Sequence, residues 1–274
     1  MRVAALVRNE WIKTTRRFAF WVSLLTFTGI MAIQFGEQWW TARGNPRVTF
    51  AFPDAWRVIT DDTTIVTAIF LVIVLSMLIG GEYAWKTARQ NVIDGLSKNQ
   101  VYLAKIFTWV GIVVAFGVMQ ILVGSAFAAA GTPNGAGTWV HATDLAQVGG
   151  AALCLVAFTS LGFFFAFVSR NAAAGIGLFF LYVAFGEKLI GLVARLFGEG
   201  AKVVTRYLPL ALGERALEAW QWDPAVLADV TKEAVASGGK GPVPMAQPAL
   251  IAWILGWAVL VVGVAYLVFR ARDL

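Results

Sequence analysis

Apolar residues fall into six long runs divided by polar segments: 18–35, 64–81, 104–130, 145–168, 172–193 and 248–269. A helix needs ~20 apolar residues to cross the hydrocarbon core of a bilayer, and these runs match that length. The second holds the unbroken apolar stretch from Ile69 to Leu75. The third is long enough to tilt or to continue past the interface. Only Ser169, Arg170 and Asn171 separate the fourth from the fifth, which predicts a tight hairpin. The fifth is interrupted by Glu187 and Lys188. The pattern predicts an all-α membrane protein with six transmembrane helices in one transmembrane domain over residues 1–274.

Two flanking regions add to this plan. In residues 1–17, Val3, Val7 and Trp11 recur every four positions, while Arg2, Arg8, Asn9, Glu10 and Lys13 take other faces. That is an amphipathic helix lying on the membrane surface, with Arg16 and Arg17 expected among the lipid headgroups. The charged lead is long and no small-x-small cleavage site follows, so the first apolar run reads as a retained helix. The loop 194–247 is expected to be partly helical. Leu210, Leu217 and Trp220 share a face with Gly213 between them, and Asp223-Pro224 is a good start for a second short helix to about residue 236.

Composition agrees with a bilayer as the solvent. Of 274 residues, 59% are hydrophobic and 14% charged. The net charge of +6 does not point to nucleic acid, because the bases lie between apolar runs rather than on one face. They do set an orientation. The N-terminal segment, the second-to-third connection with Lys105, Arg170 and the C-terminal pair carry twelve Lys/Arg, against three in 36–63 and none in 131–144. The first group, both termini included, is therefore expected in the cytoplasm, with the protein in the plasma (inner) membrane. The long loop carries six Lys/Arg and six Asp/Glu, and long loops largely escape this rule. The lone Cys154 and the lone His141 are far from the clustered ligand spacing that a metal needs, so no metal site is expected.

The connection 82–103 carries the most specific signal. Glu82 stands four residues before Lys86, a favourable helical pair. Gly95 suits a left-handed helix end, and Ser97-x-x-Gln100 matches a capping box that starts a new helix. These features predict a rigid helix–turn–helix projection. Gly81-Glu82, Thr87-Ala88-Arg89, Gly95-Leu96-Ser97-Lys98 and Lys105 stand where type-2 ABC transporter permeases carry Gly-Glu, Thr-x-Arg, Gly-x-Ser plus a base, and Lys. The segment resembles that family, with Lys98 in place of the more usual Arg. The layout of spans, external loop and the ending Phe269-Arg270-Ala271-Arg272-Asp273-Leu274 resembles it over the whole chain.

The resemblance implies a non-catalytic permease subunit of an exporter that works with two copies of a cytoplasmic ABC ATPase and a second permease, identical or homologous. ATP and magnesium would then sit on the ATPase, with no cofactor on this chain. It also implies that Glu82, Lys86, Thr87, Arg89, Asp94, Gly95, Leu96, Ser97 and Lys98 couple the ATPase to the spans. The sequence agrees, since Gly238-Gly239-Lys240-Gly241 lacks the first Gly and the Ser/Thr of a phosphate-binding loop. Glu187 and Lys188 are candidates for a polar point on the transport path or for a hinge in a broken helix; the other reading ends the helix near Gly186, with the pair in the outer headgroups or in a re-entrant turn. Two other classes are an assembly subunit of a membrane complex and an intramembrane enzyme. The second lacks the clustered His, Ser or acid groups that such catalysis needs.

Overall fold

The computed structural model describes residues 3–45, 48–85, 96–133, 138–220, 245 and 247–272. The second loop helix expected at 223–236 lies outside them. The helices are α1 (Val3–Thr15), α2 (Phe18–Gly44), α3 (Ala55–Thr60), α4 (Asp62–Ala84), α5 (Lys98–Gly131), α6 (Ala142–Ser169), α7 (Ala172–Leu181), α8 (Glu187–Leu196), α9 (Pro209–Glu218) and α10 (Gln247–Ala271). A π-helical segment, Tyr182–Gly186, joins α7 to α8, and a 3-10 segment, Glu199–Tyr207, precedes α9. Among the described residues, six helical units are long and apolar enough to cross a membrane: Phe18–Gly44, Ala55–Ala84, Lys98–Gly131, Ala142–Ser169, Ala172–Leu196 and Gln247–Ala271. All six expected spans are present, and most run past the apolar limits because polar caps and interfacial aromatics extend them. We call the end bearing α1, Glu82 and Lys98 the basal end, and the end bearing His141 and Gln247 the distal end.

Helix α6 is the hub. It packs against α4, α7, α9 and α10, and its core includes Cys154, Phe158, Leu161, Phe163 and Phe167. Small residues let its neighbours approach, the usual device where lipid offers no hydrophobic drive between helices. A β-carbon at Gly150 would collide with the Ala216 carbonyl of α9. At the basal end, one at Gly80 of α4 would collide with the backbone of Ala172 in α7. The predicted hairpin between the fourth and fifth spans is present. Arg170 takes the left-handed conformation at φ 53° and donates its backbone N–H to the Ala166 carbonyl at 3.1 Å. Asn171 then caps α7 by accepting from the Ala174 N–H at 3.1 Å.

Helices α3 and α4 meet at a break next to Asp61, and a buried amide from α5 secures it. The Gln120 amide nitrogen donates to the Ile59 carbonyl at 2.6 Å and to the Thr63 and Thr64 hydroxyls at 3.1 Å. Its carbonyl oxygen accepts from the Thr67 hydroxyl at 2.7 Å. Every polar atom of this side chain is used, and all the partners are out of water. Gln120→Leu is expected to lower stability by about 1–3 kcal/mol, because the Ile59 carbonyl loses a partner inside the bundle. Equilibrium unfolding in mixed micelles would measure the loss.

The fifth span departs most from a plain helix. Above the π segment, α8 rises to Leu196, and the chain turns at Gly198, whose φ of 108° belongs to the left-handed side that glycine tolerates. The 3-10 segment then returns along α8. Tyr207 arrives beside Trp253, with ring centroids 5.1 Å apart, and its carbonyl accepts from the Trp257 indole at 2.5 Å. Helix α9 climbs back with Gly213 against Ala157 and Phe158, and Ala216 against Gly150. Ala157 lies fifteen residues into α6, about 22 Å from its distal end at the ~1.5 Å rise of a helix. The part of the long loop at 199–218 is thus a re-entrant hairpin, with Leu210, Leu212 and Leu217 buried.

Helix α1 packs in two ways that the sequence did not foretell. Among the described residues, the face it buries against α5 includes Leu6, Glu10 and Thr14, one position before Val7 and Trp11 of the apolar stripe. Trp11 lies on the flank, with its ring against Gly111 and edge-on to Phe20 at 6.3 Å. Arg16 is exposed, and Arg17 bonds Glu82 and the Leu78 carbonyl of α4. Both changes share a cause in the charge cluster at the basal end.

Candidate functional site

The cluster begins with Lys105, seven residues into α5 and facing inward. The residue is 8% exposed, and a charge in such a place needs partners. It has two. The Glu82 carboxylate at the end of α4 accepts from the Lys105 ammonium at 2.6 Å. The Glu10 carboxylate of α1 accepts from the same ammonium by its other oxygen. Lys13, one turn on, donates to Glu10 at 2.9 Å. Arg17, between α1 and α2, donates to Glu82 at 3.2 Å and to the Leu78 carbonyl at 3.2 Å. Two acids and three bases therefore join α1, the start of α2, the end of α4 and the start of α5. Burial disfavours the Glu10 carboxylate, but Lys105 and Lys13 outweigh it and hold the carboxyl below its ordinary value of 4.5.

Beyond 86–95 the chain resumes with the expected cap. The Ser97 hydroxyl accepts from the Gln100 N–H at 3.3 Å, and the Gln100 side chain accepts from the Ser97 N–H at 3.1 Å. The next residues are tied to the last helix. Lys98 donates to the carbonyls of Arg270 and Arg272, both at 3.2 Å, a favoured use of a cation at a helix C-terminus. Tyr266 donates to the Asn99 side chain at 2.8 Å, and Tyr102 to the Val262 carbonyl at 2.6 Å. Arg272 in turn donates to the Val168 carbonyl at the end of α6, at 2.8 Å.

Of the residues singled out in this segment, Lys86, Thr87, Arg89, Asp94 and Gly95 lie outside the described residues, so the Glu82–Lys86 pair does too. Glu82, Ser97 and Lys98 are brought to one end of the bundle. Leu96 is half-buried against the core rather than presented outward. Sequence reasoning gave Glu10 no functional place and did not foresee its partnership with Lys105. A signal existed: between Lys98 and Asp144 the one charged residue is Lys105, and Glu10 is the first acid of the chain. A lone cation inside an apolar run calls for an acid, and the motif acid and the N-terminal acid were both at hand.

Glu187 and Lys188 separate. Lys188 is exposed. The Glu187 carboxylate accepts from the backbone N–H groups of Leu210 and Ala211, at 2.7 and 3.2 Å, and from the Tyr182 hydroxyl at 3.4 Å. An acid from α8 thus caps α9, and two donors otherwise unsatisfied at a helix start are paired inside the bundle.

A family model described as ABC-2 family transporter protein matches residues 6–186. The matched region includes Glu10, Arg17, Glu82, Lys98 and Lys105. No curated protein matches the chain.

Proposed function

Because the chain belongs to the ABC-2 family of transporter proteins, in which it takes the part of the permease subunit, we propose that it couples ATP hydrolysis by separate ABC ATPase subunits to outward movement of a substrate. The segment 82–98 meets the ATPase. Two ATPase copies and a second permease, identical or homologous, complete the assembly. The twelve Lys/Arg of the basal segments favour a cytoplasmic basal end, with both termini there, in the plasma membrane.

The observation that carries this reading is how the segment is anchored. One end, Glu82, is bonded through Lys105 to α1 and α5 and through Arg17 to the start of α2. The other, Lys98, is bonded to the last turn of α10. A push on 86–95 therefore reaches four spans directly. A plain connector needs neither tie. The fifth span, in which Gly175, Phe179 and Ala194 are the buried residues, leaves an apolar face for lipid or for the second permease.

Single cysteines placed across 86–97, in a Cys154→Ala background, should cross-link to the ATPase in the intact complex. Ser97→Ala removes a cap at a cost of about 1 kcal/mol and should lower substrate-stimulated ATPase activity while membrane insertion persists. Absence of cross-links across the segment, with coupled activity unchanged, would overturn the reading.

A further inference from the structure

Beside the charge cluster, α2, α4 and the start of α7 enclose a cavity of about 770 Å³, well within the size range of small-molecule sites. Its wall is mostly apolar, with Phe18, Phe20, Met77, Leu78 and Ala173 among the lining residues. Among the described residues, the charged ones that line it are both arginines, Arg17 and Arg170, and no acid lines it. Asn171, Ala172 and Ala173 also line it, so the positive end of α7 faces the same space. All of these groups lie at the ends of helices long and apolar enough to cross a membrane, where lipid headgroups are expected.

The depth suits a lipid. Tyr83 and Val74 both line the cavity and stand nine residues apart on α4, about 13 Å at the ~1.5 Å rise of a helix. One leaflet of hydrocarbon is about 15 Å thick, half of a ~30 Å core. Phe18 is 83% exposed and Met77 49% exposed, so the chain alone leaves apolar surface uncovered at the mouth. Guanidinium groups bind phosphate oxygens in pairs of parallel hydrogen bonds.

We propose that this cavity holds one anionic phospholipid as a resident ligand, its headgroup at Arg17 and Arg170 and an acyl chain along α2 and α4. The same Arg17 guanidinium reaches Glu82 and the Leu78 carbonyl. The lipid therefore adds a negative charge beside a cluster that holds two acids and three bases, and membrane composition acts on the junction of α1, α4 and α5. The inference needs a membrane protein but not the ATPase coupling proposed above, so each stands or falls alone.

The test uses the full chain, delipidated and reconstituted in nanodiscs of phosphatidylcholine with or without phosphatidylglycerol. Lipid retained after release into the gas phase is counted by native mass spectrometry. One phosphatidylglycerol per chain should be retained, roughly tenfold over phosphatidylcholine, equivalent to ~1.4 kcal/mol. Arg170→Asn removes the charge while asparagine tolerates the left-handed backbone. Ser23→Trp fills the apolar end and leaves both arginines. Each should abolish the preference, with the helical circular dichroism unchanged. Excess inorganic phosphate should not displace the lipid; displacement would mean a free-anion site and overturn the proposal. Equal retention of the two lipids, or wild-type retention by both variants, would also overturn it.

Discussion

Lys105→Met is expected to destabilise the protein by about 3–5 kcal/mol, the usual cost of removing one partner from a buried ion pair. The variant leaves Glu10, 3% exposed, and Glu82, 8% exposed, facing one another without the cation between them. Methionine fills much the same space, so the loss is electrostatic rather than a cavity. Helix α1 should detach first, because Glu10 sits at the middle of the face it buries, between Leu6 and Thr14 among the described residues. Adding Glu10→Gln and Glu82→Gln should recover much of the loss, since the uncompensated charges go with them. Limited proteolysis within α1, with unfolding in mixed micelles, reads both effects. A wild-type profile for Lys105→Met would show that the cluster does not hold α1. The wild type should show the same release on acidification. The Glu10 carboxyl is held below its ordinary value of 4.5. Its contribution is therefore complete above that value and is lost as pH falls through the lower, folded value.

Glu187→Ala should loosen the re-entrant hairpin. Two backbone donors at the start of α9 lose a charged acceptor, worth about 2–3 kcal/mol for bonds of this kind. Amide exchange across Pro209–Glu218 should then quicken by about 30- to 150-fold, while the basal ends of α4 and α5 exchange as before. Glu187→Gln keeps one acceptor oxygen and should show an intermediate effect. Lys188→Ala, on the exposed side, should change stability by less than about 0.5 kcal/mol. Equal effects from the two neighbours would mean that the carboxylate does not cap α9.

The six spans were legible because lipid demands long apolar runs and leaves few alternatives. The Ser97 capping box was legible because its partners lie three residues apart. The helix at 209–218 could be read from Leu210, Gly213 and Leu217, but its return into the bundle could not, since that depends on small residues far away on α6. The face that α1 turns to α5 was not legible, for an instructive reason. Apolar periodicity assumes that carboxylates face water, and Glu10 is inside because Lys105 waits for it 95 residues along the chain. Arg17 was drawn inward by the same logic, through Glu82. Pairings of that kind leave a compositional trace, a stray charge in an apolar run, but no periodic one.

The segment Tyr182–Gly186 has a consequence for spacing along the fifth span. A π turn carries about one residue more than an α turn, and each residue of an α-helix advances ~100° around the axis. Everything from Glu187 onward is therefore rotated by about that angle relative to an uninterrupted helix from Ala172. Deleting Ala184 would keep the hydrophobic character of the span and shorten it by one small residue. It would also turn the carboxylate away from α9 and carry Leu189 and Leu192 to new faces. In this helix the number of residues, more than their kind, sets the phase on which the distal hairpin depends.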